Sequence, residues 1–358
     1  VRGGDPPCRP CASAMGAVRA GSAGRTAPTR RGSCGPCPLA RAAYDREGRH
    51  DAGTEPTFIK DEWGWRLAAE APILPADVRR SRPASGSSIV VTSADATLFR
   101  GHLARASDGR EDGIVIAPDV RGLHPYYVDL AERFAEAGVH ALAFDYFGRT
   151  LGTAVPKADF YEGAFQTAPY REHVAQTRPR TIQEDIHAAS ARLRRETPAR
   201  RVFLVGFCFG GRVAFNSSAE QPDLSGTIGF YGGPVQRDAH DEDAPILKVS
   251  RMRASVLGLF GGADQGIPAS AVEEFDKALT EQSVAHKLVT YEGAPHSFFD
   301  RTFDHNAAAC DAAWRRMRAF SRTGDPTAPA SDLRAPRART RPGGAPPPLR
   351  PTGALDRG

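Results

Sequence analysis

Nowhere in its 358 residues does the sequence hold an apolar run approaching the ~18–20 residues that a membrane-spanning helix needs. A secretory core is missing as well. Met15-Gly-Ala-Val18 is broken at once by Arg19, and Gly, Ser and Arg25 follow. No membrane partner is expected, and the expected location is the cytoplasm. Cysteine is scarce: six residues, of which only Cys208 and Cys310 fall outside the first 57. Cys208, a lone thiol inside a strongly patterned segment, fits a reducing compartment. A basic face is also lacking where it would matter. Residues 1–57 carry nine Arg against five acids, and residues 323–358 carry six Arg against three Asp. With a formal charge of +5 overall, residues 58–322 are left at about −2. The basic balance therefore belongs to the two ends, which argues against a nucleic-acid-binding fold. No internal repeat is visible.

What is present is a patterned body between two unpatterned ends. Residues 1–57 are rich in Gly, Ala, Arg and Pro without apolar periodicity, and are expected to be disordered. Residues 323–358 hold eight Pro, including Pro346-Pro347-Pro348, and carry the same expectation. Residues 58–322 are long enough for one domain with a large core.

Within that body, short apolar runs alternate with helical spacing. Strands are predicted at Ser88–Thr92, Thr97–Ala104, Gly113–Ala117, Val139–Phe144, Val202–Val205, Gly226–Tyr231, Ser255–Phe260 and Lys287–Tyr291. Helices are predicted at Val128–Ala137, Thr181–Arg195, Gly210–Glu220 and Ala307–Phe320, with another starting near Ser270. Continuous apolar strands separated by helices imply a mostly parallel sheet covered on both faces, an α/β architecture.

One motif is sharp. Gly206-Phe207-Cys208-Phe209-Gly210-Gly211 follows the strand ending at Val205 and precedes a helix. This is the G-x-S-x-G nucleophile elbow of α/β-hydrolases with Cys in the place of Ser. The nucleophile sits in a tight strand-to-helix turn, where the flanking residues approach too closely for a Cβ. The helix beyond it aims its N-terminal N–H groups and positive dipole end at the sulfur, which favours a thiolate. The Phe209 N–H would supply half of an oxyanion hole. The second donor should come from the loop after Gly113–Ala117, with Val120 as the candidate N–H and Asp119 as an acid close to the thiol.

Partners follow in the chain order this fold requires, nucleophile, acid, histidine. Asp264 stands just past the strand Ser255–Phe260, on the ligand-binding edge of an open sheet. His296 lies in the loop Tyr291-Glu-Gly-Ala-Pro-His296-Ser-Phe-Phe299. Taken singly, each residue has a plainer role: Cys208 as a small core residue, Asp264 as a helix cap, His296 as a surface side chain, Asp119 as a turn former. Taken in order, they make a Cys208–His296–Asp264 triad in which His296 shuttles the thiol proton and Asp264 orients the ring.

Together the elbow, the Asp264 loop and Pro295-His296-Ser-Phe298 resemble the dienelactone hydrolase (carboxymethylenebutenolidase) family from about Ser88 to Phe320. The resemblance implies a monomeric α/β-hydrolase, hydrolysis of an enol-lactone such as dienelactone to maleylacetate, and no metal or other cofactor. It also implies arginines that hold the substrate carboxylate; Arg149 and Arg301 stand near the matching places, Arg301 displaced by one residue and preceded by an acid. Where the family has a Glu in the first oxyanion loop, this chain has the shorter Asp119. Phe207 and Phe298 are expected to line the substrate site; a pocket lined by Phe207, Phe230 and Phe298 without the two arginines would favour a neutral ester instead.

Other signals carry less. Cys8-x-x-Cys11 and Cys34-x-x-Cys37 could hold zinc, but the gap exceeds that of the usual knuckle, and the intervening residues offer nothing to build a ribbon. Cys310 reads as a small helix-packing residue. The expected activity is hydrolysis of a small ester or lactone through a thioacyl enzyme, by a monomer or weak oligomer. The alternatives are a broader carboxylesterase or thioesterase, a non-catalytic binding protein on the same fold, and a zinc module at the N-terminus.

Overall fold

The computed structural model describes residues 58–61, 64–67, 85–107, 111–162, 166–300 and 302–329. The paired Cys-x-x-Cys motifs and Arg301 lie outside the described residues. A short antiparallel hairpin, β1 (Phe58–Asp61) and β2 (Gly64–Leu67), precedes the main body.

The main body is an eight-stranded sheet. Its strands are β3 (Ser85–Thr92), β4 (Leu98–Arg105), β5 (Asp112–Ala117), β6 (His140–Phe144), β7 (Arg201–Phe207), β8 (Gly226–Phe230), β9 (Val256–Gly261) and β10 (His286–Tyr291). They lie in the order β10-β9-β8-β7-β5-β6-β4-β3. Only the β3–β4 and β4–β6 pairs are antiparallel; the others are parallel. Among the described residues, seven helices accompany the sheet: α1 (Pro125–Glu136), α2 (Gly148–Leu151), α3 (Tyr170–Gln176), α4 (Pro179–Glu196), α5 (Phe209–Glu220), α6 (Ala269–Glu281) and α7 (Ala307–Thr323). Every predicted strand is present, within a few residues at its ends. The pattern marks no element between Phe144 and Thr181. The structure places α2, a 3-10 turn at Ala158–Tyr161 and α3 there, all too short to show a helical repeat.

The period of two along a strand sends alternate side chains to opposite faces. In β5 and β7, Ile114, Ile116, Phe203 and Val205 join one buried cluster with Tyr127, Leu130 and Phe134 of α1 and Trp314, Met317 and Phe320 of α7. Their neighbours Val115, Ala117, Val202 and Leu204 join the other, with Ile182, Ile186 and Leu193 of α4. Both faces of the sheet are therefore dry, which is why its central strands read as unbroken apolar runs. No helix among the described residues is long and apolar enough to cross a membrane.

The parallel strand β5 is flanked by β6 on one side and β7 on the other, so the chain winds outward in both directions from it. The loops at the carboxyl ends of β5 and β7 thus diverge and leave a crevice, the usual ligand position in such sheets.

Candidate active site

Cys208 is the single residue between β7 and α5. Its φ is +54° and its ψ −110°, a conformation that costs a non-glycine residue about 1–3 kcal/mol. The surroundings hold it there. The Cys208 N–H donates to the Phe230 carbonyl at 3.0 Å. A Cβ on Gly206 would stand 1.8 Å from the Gly210 carbonyl oxygen, and one on Gly210 would stand 2.2 Å from the carbonyl oxygens of Ala117 and Pro118. Glycine is the only residue that either position admits.

His296 meets both predicted partners. Its Nδ1 donates to Asp264 Oδ2 at 2.6 Å, and the ring is also hydrogen-bonded to Cys208. With Nδ1 committed to the carboxylate, Nε2 is the nitrogen that faces sulfur. Asp264 is buried, and its other oxygen accepts the Gly266 N–H at 2.9 Å. It caps no helix: α6 begins after Pro268, without a side-chain cap bond. The structure therefore brings together the three side chains expected to converge.

The electrostatics of His296 follow from these contacts. Burial works against the imidazolium, but the hydrogen bonds to Asp264 and Cys208 and the negative charge of both outweigh it and raise the ring to about 10. The folded value lies above the ordinary ~6.5 of histidine. The contribution to stability is thus complete below about pH 6.5 and is lost as pH rises through about 10. Histidine ring NMR should show one titration near 10. Alkylation of Cys208 should move it downward, because both sulfur contributions vanish. A His296 ring that titrates near 6.5 in the unmodified protein contradicts this arrangement.

The loop after β5 completes the crevice. Neither the Val120 nor the Phe209 N–H is taken up by an acceptor among the described residues. Tyr146, at the end of β6, touches both sides of this pair. Its hydroxyl donates to the Pro118 carbonyl at 2.6 Å, and its ring meets that of Phe209 edge-on, with centroids 5.3 Å apart.

Asp119, the acid expected close to the thiol, is clasped by an arginine. It accepts the Arg121 backbone N–H at 2.8 Å and the Arg121 side chain at 2.8–3.0 Å, and the same guanidinium reaches Asp300. All three residues are buried. Sequence reasoning missed Arg121 and Asp300, although Arg121 lies two residues from Asp119 and Asp300 four from His296. Tyr231 was missed as well. Its ring lies 5.0 Å from that of His296, its φ is +36°, and its hydroxyl finds no hydrogen-bond partner among the described residues.

Three expected substrate contacts are corrected. Arg149 bonds Asp185 on α4 at 2.6 Å and Asp95 in the β3–β4 turn at 2.9 Å, so its guanidinium is already satisfied by two carboxylates. Phe207 and Phe298 are fully buried. Phe207 stacks against both Phe230 and Phe299, which also touch each other, and Phe298 packs on Tyr231 and Tyr291. Alternation along β7 turns Phe207 into the sheet's own core, so both rings form the floor beneath the site. Two helices pin the strip after His296: Tyr126 of α1 donates to the Phe299 carbonyl at 2.7 Å, and Cys310 of α7 donates to that of Phe298 at 3.2 Å.

Comparison with known proteins identifies the family. Residues 99–323 match the model of the dienelactone hydrolase family. A Synechocystis protein named "Putative carboxymethylenebutenolidase" is 28% identical over 231 residues, covering 62% of this chain and 91% of the relative. A Bradyrhizobium protein named "Probable 2-oxo-3-(5-oxofuran-2-ylidene)propanoate lactonase" is 26% identical over 219 residues, 60% of this chain and 84% of the relative. A crystal structure of a "Putative Dienelactone Hydrolase" from Klebsiella pneumoniae shares the fold, with TM-score 0.58 at 23% identity over 67% of this chain and 99% of the other. With a family model spanning more than half of its length, the chain belongs to the dienelactone hydrolase family.

Proposed function

We propose that this hydrolase cleaves a small carboxylic ester or lactone with Cys208 as nucleophile, His296 as proton carrier and Asp264 as the carboxylate that orients the ring. One observation carries the reading: the residue in the strained elbow is a thiol, hydrogen-bonded to an imidazole that is itself anchored to a buried carboxylate.

In the resting state a proton on His296 and a negative charge on Cys208 support each other. The thiolate attacks the carbonyl carbon. The carbonyl oxygen takes up the electron pair and is held by the N–H groups of Val120 and Phe209. Collapse breaks the acyl C–O bond, and the imidazolium gives its proton to the departing oxygen. The product is a thioester on Cys208 and a neutral His296. Acylation removes the sulfur's hydrogen bond and charge, the contributions that raised the ring. His296 can then take a proton from water. The resulting hydroxide attacks the thioester, and collapse regenerates thiolate and imidazolium.

Rapid acid quenching during turnover of p-nitrophenyl acetate, followed by peptide mass spectrometry, should find one acetyl group on Cys208. Steady turnover with no acyl group there removes the reading. Tyr146 is a positioning residue in this scheme, through its bond to the Pro118 carbonyl. Tyr146→Phe keeps the ring packing but loses that bond. It should lower kcat about tenfold with KM nearly unchanged, the signature of an interaction felt mainly in the transition state. An unchanged kcat removes the role.

A further inference from the structure

We infer that Arg121 is a positioning residue: it holds the turn that presents the Val120 N–H in register with the loop that carries His296. The inference rests on the proposed reading of Cys208 as nucleophile and extends it to a residue that touches neither sulfur nor substrate.

The turn comes first. Val120 and Arg121 are its central residues, and the Gly122 N–H closes it by donating to the Asp119 carbonyl at 3.2 Å. The Asp119 side chain closes it again, with Oδ1 accepting the Arg121 backbone N–H at 2.8 Å. The Arg121 Nε then returns to the same carboxylate, 3.0 Å from Oδ1 and 2.9 Å from Oδ2. Val120 is thus bracketed by two residues whose side chains clasp each other. On the far side the turn has no room to yield: a Cβ on Gly122 would stand 2.5 Å from the Phe147 ring and 2.8 Å from Asp145 Oδ1. The direction of the Val120 N–H is set by this turn.

The second link crosses the site. The Nη2 of Arg121 that meets Asp119 also bonds Asp300. Asp300 closes a turn of its own, its N–H donating to the Ser297 carbonyl at 3.2 Å, and that turn begins directly after His296. Both carboxylates have further interactions, and Arg121 joins the two. One guanidinium therefore spans the loop of the oxyanion donor and the loop of the base. All three residues are buried, and the Tyr127 ring lies 6.0 Å from the guanidinium carbon. The donor and the base must act on one carbonyl group at the same moment, so their spacing enters the rate directly. A planar fork of fixed donors can serve two carboxylates at once; an ammonium group is a single point charge on a flexible stem.

Arg121→Lys keeps the charge and loses the fork. It should lower kcat on p-nitrophenyl acetate about 30-fold with KM changed less than about threefold, the pattern of a misplaced oxyanion donor. Alkylation of Cys208 by iodoacetamide forms a C–S bond and expels iodide; it needs the thiolate but no oxyanion donor. Compared on the plateau of each protein's pH profile, its rate should change less than about threefold. Trifluoroacetone supplies a third reading. The thiolate adds to its carbonyl carbon and the electron pair moves to oxygen, so its inhibition should weaken in step with kcat. If Arg121→Lys does not fold, Asp300→Asn, which leaves an oxygen to accept from Arg121 but removes the charge, should show the same split at about fivefold.

An unchanged kcat overturns the inference. So does alkylation that falls in parallel with kcat, because then the bridge merely supports the triad as a whole. Hydrolysis that survives complete alkylation of Cys208 in the wild-type protein removes the nucleophile itself, and the inference with it. Loss of hydrolysis on alkylation together with an unaffected Arg121→Lys removes the inference alone.

Discussion

Replacing Cys208 with alanine should lower ester hydrolysis by roughly 10⁴-fold or more, down to the background that binding and the oxyanion donors can sustain. The size follows from the proposed role: among the described residues, no other group beside His296 is placed to form the acyl intermediate. Asp119 is held by Arg121 from both its backbone and its side chain, and the Tyr231 hydroxyl is buried, with burial the largest of the influences that keep it protonated. The variant should fold, because removing sulfur leaves the backbone of the elbow unchanged. Its His296 should titrate below about 10, since the hydrogen bond and charge of Cys208 are gone. Two measurements check this: initial rates on p-nitrophenyl acetate, and the NMR titration of the ring. Activity retained within tenfold would mean that another nucleophile does the work.

Gly206→Ala should fail differently, by losing the fold around the elbow. Its Cβ would stand 1.8 Å from a backbone carbonyl oxygen of the same turn. No rotamer relieves that contact, because the obstructing atom belongs to the first turn of α5. Either the helix moves off the sheet or the turn opens. About 4 kcal/mol or more of stability should go, at the severe end for a single substitution. Denaturant unfolding followed by circular dichroism gives the number, and an unchanged midpoint would show that the turn can adjust. Gly152→Ala is a fair control. Nothing lies within 4 Å of its added Cβ, so only the strain of its φ of +59° should be felt.

The contrast explains what the sequence could and could not convey. The elbow was legible because its constraint is local: a strand, two glycines around one nucleophile, and a helix in direct succession. Asp264 and His296 were legible because each lies just past a strand, and strand ends on a parallel sheet share one edge. Asp300 and Arg149 were not. Whether an arginine faces substrate or a carboxylate depends on contacts such as Arg149 with Asp185, 36 residues away. No spacing rule reports that. Phe207 and Phe298 misled for a related reason: an aromatic beside a nucleophile reads the same whether it lines the pocket or supports it. The short helices α2 and α3 offer too few turns for a periodicity to emerge.

The bonds from Tyr126 and Cys310 to the strip after His296 have a mechanical consequence. The loop that presents the proposed proton carrier is stapled at consecutive carbonyls by two helices, α1 before the elbow in the chain and α7 after it. Registration of the base therefore belongs to a scaffold spanning nearly the whole domain. Loosening α7, about ten residues downstream of His296, would detune proton transfer while leaving the sulfur, the ring and the carboxylate all in place.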